Sequence, residues 1–147
     1  GPMQTSDIVV LNVPPSSLLC NAAFALRHEV FVVEQKVDEA SEIDAYDPTS
    51  LHYVAVLDGD VVGTLRLIDT AEHMKIGRVA VRQTMRGKGI AQAMMQAAMD
   101  AARAMGRTRF YLSAQTDKIG FYERFGFVAS GSEYLDEGIP HRDMHNY

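Results

Sequence analysis

The chain has 147 residues, a net charge of −5 at pH 7, 47% hydrophobic residues and 22% charged residues. These values are typical of a globular protein long enough to bury one core, and they argue against a disordered or membrane-embedded chain. The acidic balance also disfavours nucleic-acid binding, which requires a basic face.

The start of the chain and its cysteine content predict one cytoplasmic domain. Gly1 and Pro2 are typical of the scar left by a cleaved expression tag, so the expected domain is 3–147. The single cysteine, Cys20, cannot form an internal disulfide, and no charged-then-apolar leader is present. No stretch suits lipid, because even the helical segment 90–105 carries Gln, Asp and Arg side chains.

The first predicted elements are a strand and a helix. "DIVVLNV" predicts a strand that ends at two prolines, and Ser16 or Ser17 can cap the helix that follows. Apolar residues recur at helical spacing from Leu19 to Val33, which predicts one helical face running into "EVFVVEQ". The next segment, "KVDEASEIDAYDPTS", breaks this pattern with acidic and turn-forming residues and predicts a surface loop.

The remaining elements alternate between strands and helices. "LHYVAVLDGDVVGTLRLI" predicts a hairpin that turns at Asp58-Gly59, and "HMKIGRVAV" predicts a third strand. A helical period begins at Ile90 and ends at Gly106; a strand, a short helix and two further strands follow. The order β-α-(α)-β-β-β-α-β-α-β-β predicts an α/β (α+β) fold: a mixed, mostly antiparallel sheet of about seven strands flanked by about four helices.

The segment "MRGKGIAQ" predicts an anion site between the third strand and the long helix. A turn that ends at a helix N-terminus presents unpaired N–H groups and the positive end of the helix dipole. Gly87 and Gly89 let an anion approach the backbone, and Arg86 and Lys88 add positive charge. A solvated basic turn, in which the glycines serve geometry alone, is the alternative.

Two common phosphate motifs do not fit this turn. "RGKGIA" lacks the Gly-Lys-Ser/Thr ending of a P-loop, so it offers no hydroxyl for Mg²⁺. A dinucleotide fingerprint needs a third small residue where Gln92 stands and an acidic residue after a second strand. Nucleotide hydrolysis and NAD binding are therefore disfavoured.

Two motifs resemble the GNAT superfamily of N-acetyltransferases. "RGKGIA" places Arg86, Gly89 and Ala91 at the three defining positions of that family's cofactor signature. "FYERFGF" matches the FYxxxGF-like element of a later helix, through Phe121, Tyr122, Gly126 and Phe127. The wider pattern, with "LRHEVFVVEQ", "EID", "KIGRVAV", "LSAQ" and "DEGIPH", resembles the ElaA-like branch of small bacterial GNAT proteins over nearly the whole chain.

The resemblance implies that acetyl-CoA lies across the sheet and donates an acetyl group to an amine. Its pyrophosphate is expected on backbone N–H groups of the turn, and its pantetheine on a strand that splays from its neighbour. The expected cofactor-binding residues are Val79, Ala80, Val81, Arg86, Gly87, Lys88, Gly89, Ile90, Ala91, Gln92, Gln115 and Tyr122.

Acetyl transfer needs a neutral nucleophile, a stabilised oxyanion and a proton for the thiolate. The strand amide near Val79 is expected to hold the oxyanion, and Tyr122, the family's expected acid, to protonate the sulfur. The alternative is that Tyr122 serves only as an aromatic packing residue. The candidate bases are Glu34, His141 and His52, although ordered water can also carry the proton.

The acceptor side is predicted from charge. Glu42, Asp44 and Asp47 lie in a loop expected beside the acceptor cleft, where they can attract an ammonium group; a solvated acidic loop is the alternative. The expected substrate-binding residues are Glu34, Asp44 and His52. Arg78 receives no role and is expected to face solvent, no metal site is expected, and a homodimer is left open.

Two other functions remain open at this stage. The first half also resembles acyl-homoserine-lactone synthases, through Arg27, Val30, Phe31, Glu42, Asp44, Asp47, Arg66 and Leu67. Those enzymes typically have tryptophans in this region, whereas this chain has none. A noncatalytic acyl-CoA-binding module is the other possibility.

Overall fold

The computed structural model describes residues 7–147. The expected scar at Gly1 and Pro2 lies outside these residues. The strands are β1 Val9–Val13, β2 Leu51–Leu57, β3 Asp60–Asp69, β4 Met74–Val81, β5 Phe110–Gln115, β6 Val128–Asp136 and β7 Ile139–His145. The α-helices are α1 Leu18–Arg27, α2 Glu39–Glu42, α3 Ile90–Ala104 and α4 Ile119–Glu123. This element order confirms the order expected from the sequence.

All seven strands join one sheet, in the order β1-β2-β3-β4-β5-β7-β6. The pairs are antiparallel except for β4 and β5, which run parallel because α3 returns the chain between them. The mixed, mostly antiparallel sheet is therefore confirmed. Its one parallel step lies at the centre of the sheet.

Local chemistry explains where several elements begin and turn. The Ser17 side chain accepts a hydrogen bond from the Cys20 N–H at 3.2 Å and caps α1. Asp58 and Gly59 both have positive φ, 49° and 83°, as a two-residue hairpin turn between β2 and β3 requires.

The helical face that begins in α1 changes its hydrogen bonding at Arg27. The segment His28–Glu34 continues as a π-helix, in which N–H groups bond to carbonyls five residues earlier. Apolar spacing predicted one α-helical face from Leu19 to Val33, but the wider turn shifts the later side chains around the axis, and Val33 is 53% exposed. The wider turn is frequent at functional sites.

Helices cover both faces of the sheet. One core lies between α3 and the strands and contains Met94, Met95 and Met99 of α3. A second core lies under α1 and contains Cys20, Leu26 and residues of β2, β3 and β4. At Gly63 of β3 an added Cβ would lie 2.9 Å from Ile90 and from Met94, so this glycine lets the start of α3 pack directly on the sheet. Within residues 7–147, no helix is long and apolar enough to cross a membrane.

Candidate active site

The parallel strands β4 and β5 separate halfway along β4. Their pairing runs only from Met74 beside Phe110 to Ile76 beside Leu112. From Gly77 onward β4 has no strand partner on this side, and the gap between the two strands opens into a cavity of about 670 Å³. The splayed strand that the family resemblance implies is thus present.

A bulge in β4 marks the point of separation. On the β3 side, Gly77 pairs with Arg66 and Ala80 pairs with Thr64, so two residues of β4 face the single Leu65. The first of the two is Arg78, whose φ is +52°. The bulge bends β4 away from β5 and so accounts for the opening.

The strand alternation directs free backbone groups of β4 to the cavity. The Arg82 N–H donates to the Val62 carbonyl at 2.9 Å, so Arg82 and Ala80 direct their backbone groups to β3. The intervening Val81, and by the same alternation Val79, direct theirs to the opposite side, which β5 has left. The cavity wall includes both residues.

The turn after β4 presents a row of unpartnered N–H groups. Gly87 and Gly89 have φ values of +76° and +79°, and Gly89 begins α3 without a side-chain cap. The first turn bond of α3 runs from the Ala93 N–H to the Gly89 carbonyl. The N–H groups of residues 87–92, here named the amide turn, donate to no acceptor within the described residues.

The amide turn fits a pyrophosphate. An anion at this position gains the unpartnered donors and the positive end of a 15-residue helix. The space beside Gly87 is open, since an added Cβ there would have no atom within 4 Å. Lys118 and Arg124 bring positive charge to the same cavity.

Arg86 closes one side of this turn. Its Nη1 and Nη2 donate to the two carboxylate oxygens of Glu34, both at 2.8 Å, and its Nε donates to the Val81 carbonyl at 3.0 Å. The pair joins the end of the π-helix to the end of β4. Glu34 therefore meets Arg86, and not Arg27 or His28, the partners considered from sequence.

Tyr122 lines the cavity, and its hydroxyl has no hydrogen-bond partner among the described residues. Phe121 and Phe127 contact its ring edge to face at centroid distances of 5.1 and 6.4 Å. Burial raises the pKa of Tyr122 to about 12, so the phenol stays protonated at neutral pH. The ring packs and the hydroxyl remains free to donate.

His141 and Gln115 face each other across β7 and β5 and both line the cavity. His141 is 9% exposed, and its Nδ1 lies 2.6 Å from the Ile139 carbonyl, which can only accept. Nδ1 therefore carries the proton of the neutral ring, and Nε2, which has no partner among the described residues, is left as an acceptor. Gln115 donates to Gln35 at 3.0 Å and so joins β5 to the end of the π-helix.

The acidic loop of the sequence folds into a cluster of buried ion pairs. We name as the ion-pair cluster the residues Arg27, Arg66, Arg78, Glu42, Asp44 and Asp47. Its three cations and three anions balance, and only Arg66 Nε is buried without a partner among the described residues. The acidic loop is therefore neutralised within the protein.

Two carboxyl groups of this cluster are held ionised. The hydrogen bond from Arg66 lowers the pKa of Asp44. Burial alone would raise the pKa of Asp47, but the hydrogen bond from Arg27 and its neighbours brings that pKa well below the usual range.

Arg78 corrects a sequence expectation. It was expected to face solvent, but its side chain is 29% exposed and pairs with Glu42 at 2.9 Å and Asp44 at 3.2 Å. Sequence could not show this because Glu42 lies 36 residues away along the chain.

Several expected site residues lie outside the cavity wall: Glu34, Asp44, His52 and Lys88. His52 is 1% exposed, and its Nε2 lies 2.8 Å from the Asp47 carbonyl. The remaining expected residues do line the cavity: Val79, Ala80, Val81, Arg86, Gly87, Gly89, Ile90, Ala91, Gln92, Gln115, Tyr122 and His141. Ala80 lines it with its backbone groups committed to β3.

Two acidic residues of the cavity were missed from sequence. Asp136, the last residue of β6, and Glu137, in the turn before β7, line the cavity, and their side chains have no partner among the described residues. In the sequence, "DEGIPH" contributed to the family resemblance, but no role was predicted for its two carboxylates. Its two adjacent carboxylates, in a hairpin next to His141, were the available signal.

Comparisons with known proteins agree with this geometry. Residues 17–147 match the family model described as "Acetyltransferase (GNAT) domain". The uncharacterized N-acetyltransferase YjcF of Bacillus subtilis is 40% identical over 124 residues, which cover 83% of this chain and 88% of YjcF.

Two solved structures extend the likeness over nearly the whole chain. An acyl-CoA N-acyltransferase from Pseudomonas aeruginosa is 36% identical with a TM-score of 0.83, and the match covers 96% of this chain and 99% of that one. Escherichia coli ElaA is 28% identical with a TM-score of 0.85, over 95% of this chain and 99% of ElaA.

Proposed function

The chain belongs to the GNAT acetyltransferase family, and from this premise we propose that it transfers an acetyl group from acetyl-CoA to a primary amine by direct attack in a ternary complex. The observation that carries the proposal is the amide turn, residues 87–92, whose unpartnered N–H groups adjoin a cavity that also holds a free phenol and a free imidazole nitrogen. The same cavity wall thus combines donors suited to a pyrophosphate with side chains that can move protons.

The backbone of β4 supports the binding of the acyl donor. Acetyl-CoA, when bound, supplies the acetyl group as a thioester. The Val79 carbonyl and the Val81 N–H face the cavity and are suited to the amide groups of pantetheine, whereas the Val81 carbonyl already accepts from Arg86 Nε. The Val79 N–H is also the donor that we assign to the developing oxyanion, a contact worth about 3 kcal/mol when preorganised.

Tyr122 is assigned as the acid. Its hydroxyl is protonated at neutral pH and holds no partner in the protein, so it can donate to the departing sulfur. His141 is assigned as the base, because its Nε2 is an unpartnered imidazole nitrogen in the cavity wall. Glu34 is a weaker candidate, since Arg86 occupies both of its carboxylate oxygens.

Direct attack is favoured over a covalent acyl-enzyme. Cys20, the one cysteine of the chain, is fully buried in the core under α1 and is absent from the cavity wall. Burial also raises the pKa of its thiol, which disfavours the thiolate that acyl transfer to sulfur needs. The burial of Cys20 supports direct attack of the acceptor amine on the donor in one complex.

The acceptor is proposed to be cationic before it reacts. Asp136 and Glu137 are the unpartnered carboxylates of the cavity wall, so we assign to them the attraction first expected of Glu42, Asp44 and Asp47. Asp44 is engaged by Arg66 and Arg78. An amine panel that includes small amines, amino sugars and peptide amines identifies the class of acceptor.

The resemblance to acyl-homoserine-lactone synthases has a structural explanation. Most of the residues that carry it form the ion-pair cluster, a structural assembly in this chain. A noncatalytic acyl-CoA-binding module does not require the free hydroxyl of Tyr122 or the free Nε2 of His141. Both groups suit an acyltransferase, in which a proton leaves the amine and another reaches the sulfur.

An amine-panel assay of thiol release from acetyl-CoA tests the proposal. We expect acceptor-dependent release, and Tyr122→Phe should lower kcat by about 100-fold, the usual size of general-acid catalysis. Tyr46→Phe removes a hydroxyl from an exposed tyrosine outside the cavity and should leave kcat unchanged. Tight coenzyme A binding without release for any amine would leave only the binding module.

A further inference from the structure

We propose that Arg78 is a positioning residue of the transfer reaction: its ion pairs with Glu42 and Asp44 hold the β4 bulge in the shape that turns the Val79 amide into the cavity. The inference rests on the proposed function, because the group that Arg78 positions is the proposed oxyanion donor.

The backbone at Arg78 has a conformation that a strand residue does not adopt by itself. Its φ of +52° lies in the left-handed region, where a side chain crowds the backbone. The other non-glycine residues with positive φ among residues 7–147 are Lys36, Asp58 and Glu137, and each lies in a turn or loop. A left-handed residue inside a strand persists only when its surroundings hold it there.

Hydrogen bonds from the Arg78 guanidinium hold the residue in this conformation. Its Nε donates to Glu42 Oε2 at 2.9 Å and to the Glu42 carbonyl at 3.1 Å. Its Nη2 donates to the Glu42 carbonyl at 3.0 Å and to Asp44 Oδ2 at 3.2 Å. Several bonds from one planar group fix its position and its orientation together.

The anchor itself is rigid. Glu42 is 3% exposed, and its carboxylate also accepts from Arg27 Nε at 2.9 Å and Nη2 at 2.8 Å. Arg27 is 1% exposed and is held on its other side by Asp47 at 2.8 Å. Arg78 is therefore tied to the body of the protein under α1 and not to a mobile loop side chain.

The held bulge lies directly before the proposed oxyanion donor. Val79 follows Arg78 and shares with it the position opposite Leu65. The β4–β5 pairing has already ended at Ile76, so no strand bond on the cavity side fixes the direction of the Val79 N–H. Arg78 and its anchor perform this task in place of a neighbouring strand.

Arg78→Gly tests the hydrogen bonds of the Arg78 guanidinium separately from the backbone conformation at this position. Glycine adopts a φ of +52° freely, so this variant keeps the allowed backbone and removes only the guanidinium. Arg78→Lys keeps the charge but not the planar set of donors. Arg109→Gly is the matched control, because Arg109 stacks on Tyr147 at 5.2 Å and lies outside the cavity wall.

We expect Arg78→Gly to lower kcat by about 10- to 100-fold, since a displacement of about 1 Å at a reacting group costs that much. The Kd for coenzyme A should stay within about twofold, because the amide turn is untouched. The kcat of Arg78→Lys should lie between those of wild type and Arg78→Gly, and the kcat of Arg109→Gly should equal that of wild type. If Arg78→Gly and Arg78→Lys both keep kcat within twofold, the inference is overturned; if Arg78→Gly does not fold, Arg78→Lys decides alone.

An NMR measurement separates this inference from the proposed function. Coenzyme A should shift the Val79 amide resonance in the wild type, and Arg78→Lys should reduce that shift while the Gly89 amide shift persists. An inactive wild type that still shows this pattern would sink the transfer reaction and retain the positioning role. An unchanged Val79 shift in Arg78→Lys would overturn the positioning role whether or not the wild type is active.

Discussion

The ion-pair cluster and the amide turn are two regions where polar groups gather, and they differ in whether those groups have partners within the protein. In the cluster three carboxylates meet three guanidinium groups inside the protein, whereas the N–H groups of residues 87–92 meet no protein acceptor. Residues 87–89 and 92 are exposed, so water can meet these N–H groups, and a row of such donors at a helix N-terminus is suited to an anion. A charged or polar motif therefore indicates a ligand site only where its groups have no partners within the protein.

Removing one member of the cluster should have the largest effect. Arg27→Met leaves Glu42 and Asp47 buried without their main cation and should lower the free energy of unfolding by about 3 to 5 kcal/mol. Urea denaturation measures this. His28→Ala breaks only an exposed pair with Glu39 and should cost below about 1 kcal/mol. Equal costs for the two variants would show that the cluster is no more structural than a surface pair.

Acid should weaken the same cluster. Asp44 and Asp47 have lowered pKa values in the folded protein, so they stay ionised there while the unfolded chain takes up protons below about pH 4. Their stabilisation is complete above that pH and is lost as the pH falls, by on the order of 2 kcal/mol. Unfolding free energies between pH 6 and pH 2.5 measure the slope. Asp47→Asn should flatten it, and an unchanged slope in that variant would contradict the assignment.

A substitution in the amide turn should weaken coenzyme A binding without lowering the free energy of unfolding. Ala91→Pro removes one N–H that has no helical partner, at a first-turn position where proline is tolerated. The Kd for coenzyme A should rise about 10- to 100-fold, the value of one hydrogen bond to a charged group. Ala91→Gly keeps the N–H and should bind within about threefold of wild type. Calorimetry measures both, and equal Kd values would remove Ala91 from the pyrophosphate contact.

The smallest effect is expected at the unpartnered carboxylates. Asp136→Asn combined with Glu137→Gln should raise KM for a cationic amine by about 3- to 10-fold and weaken its salt dependence, with Kd for coenzyme A unchanged. Glu133→Gln, in β6 and outside the cavity wall, is the matched control. If the double variant has the same KM as Glu133→Gln, Asp136 and Glu137 do not contact the acceptor.

Local sequence chemistry predicted much of this molecule. The Ser17 cap, the Asp58-Gly59 hairpin and the glycine turn before α3 each depend on a few adjacent residues, so their patterns predicted them correctly. The order of strands and helices followed from periodicity in the same way. These features require no knowledge of what lies across the sheet.

Long-range partners are what sequence could not provide. Arg86 meets Glu34 across 52 residues, and Arg78 meets Glu42 across 36. No spacing rule predicts such pairs, and for that reason the acidic loop was interpreted as an ammonium attractor. The π-helical bonding of His28–Glu34 and the bulge in β4 depend on the same tertiary packing.

The short pairing between β4 and β5 also affects how cooperatively the protein holds together. Among the described residues, main-chain bonds join the two halves of the sheet only along Met74–Ile76 and residues 109–112, whereas the core under α3 draws Leu67 from one half and Met144 from the other. Side-chain packing, and not the sheet, therefore makes the halves unfold as one unit. A protein built in this way can keep the middle of its sheet open for a ligand without dividing into two folding units.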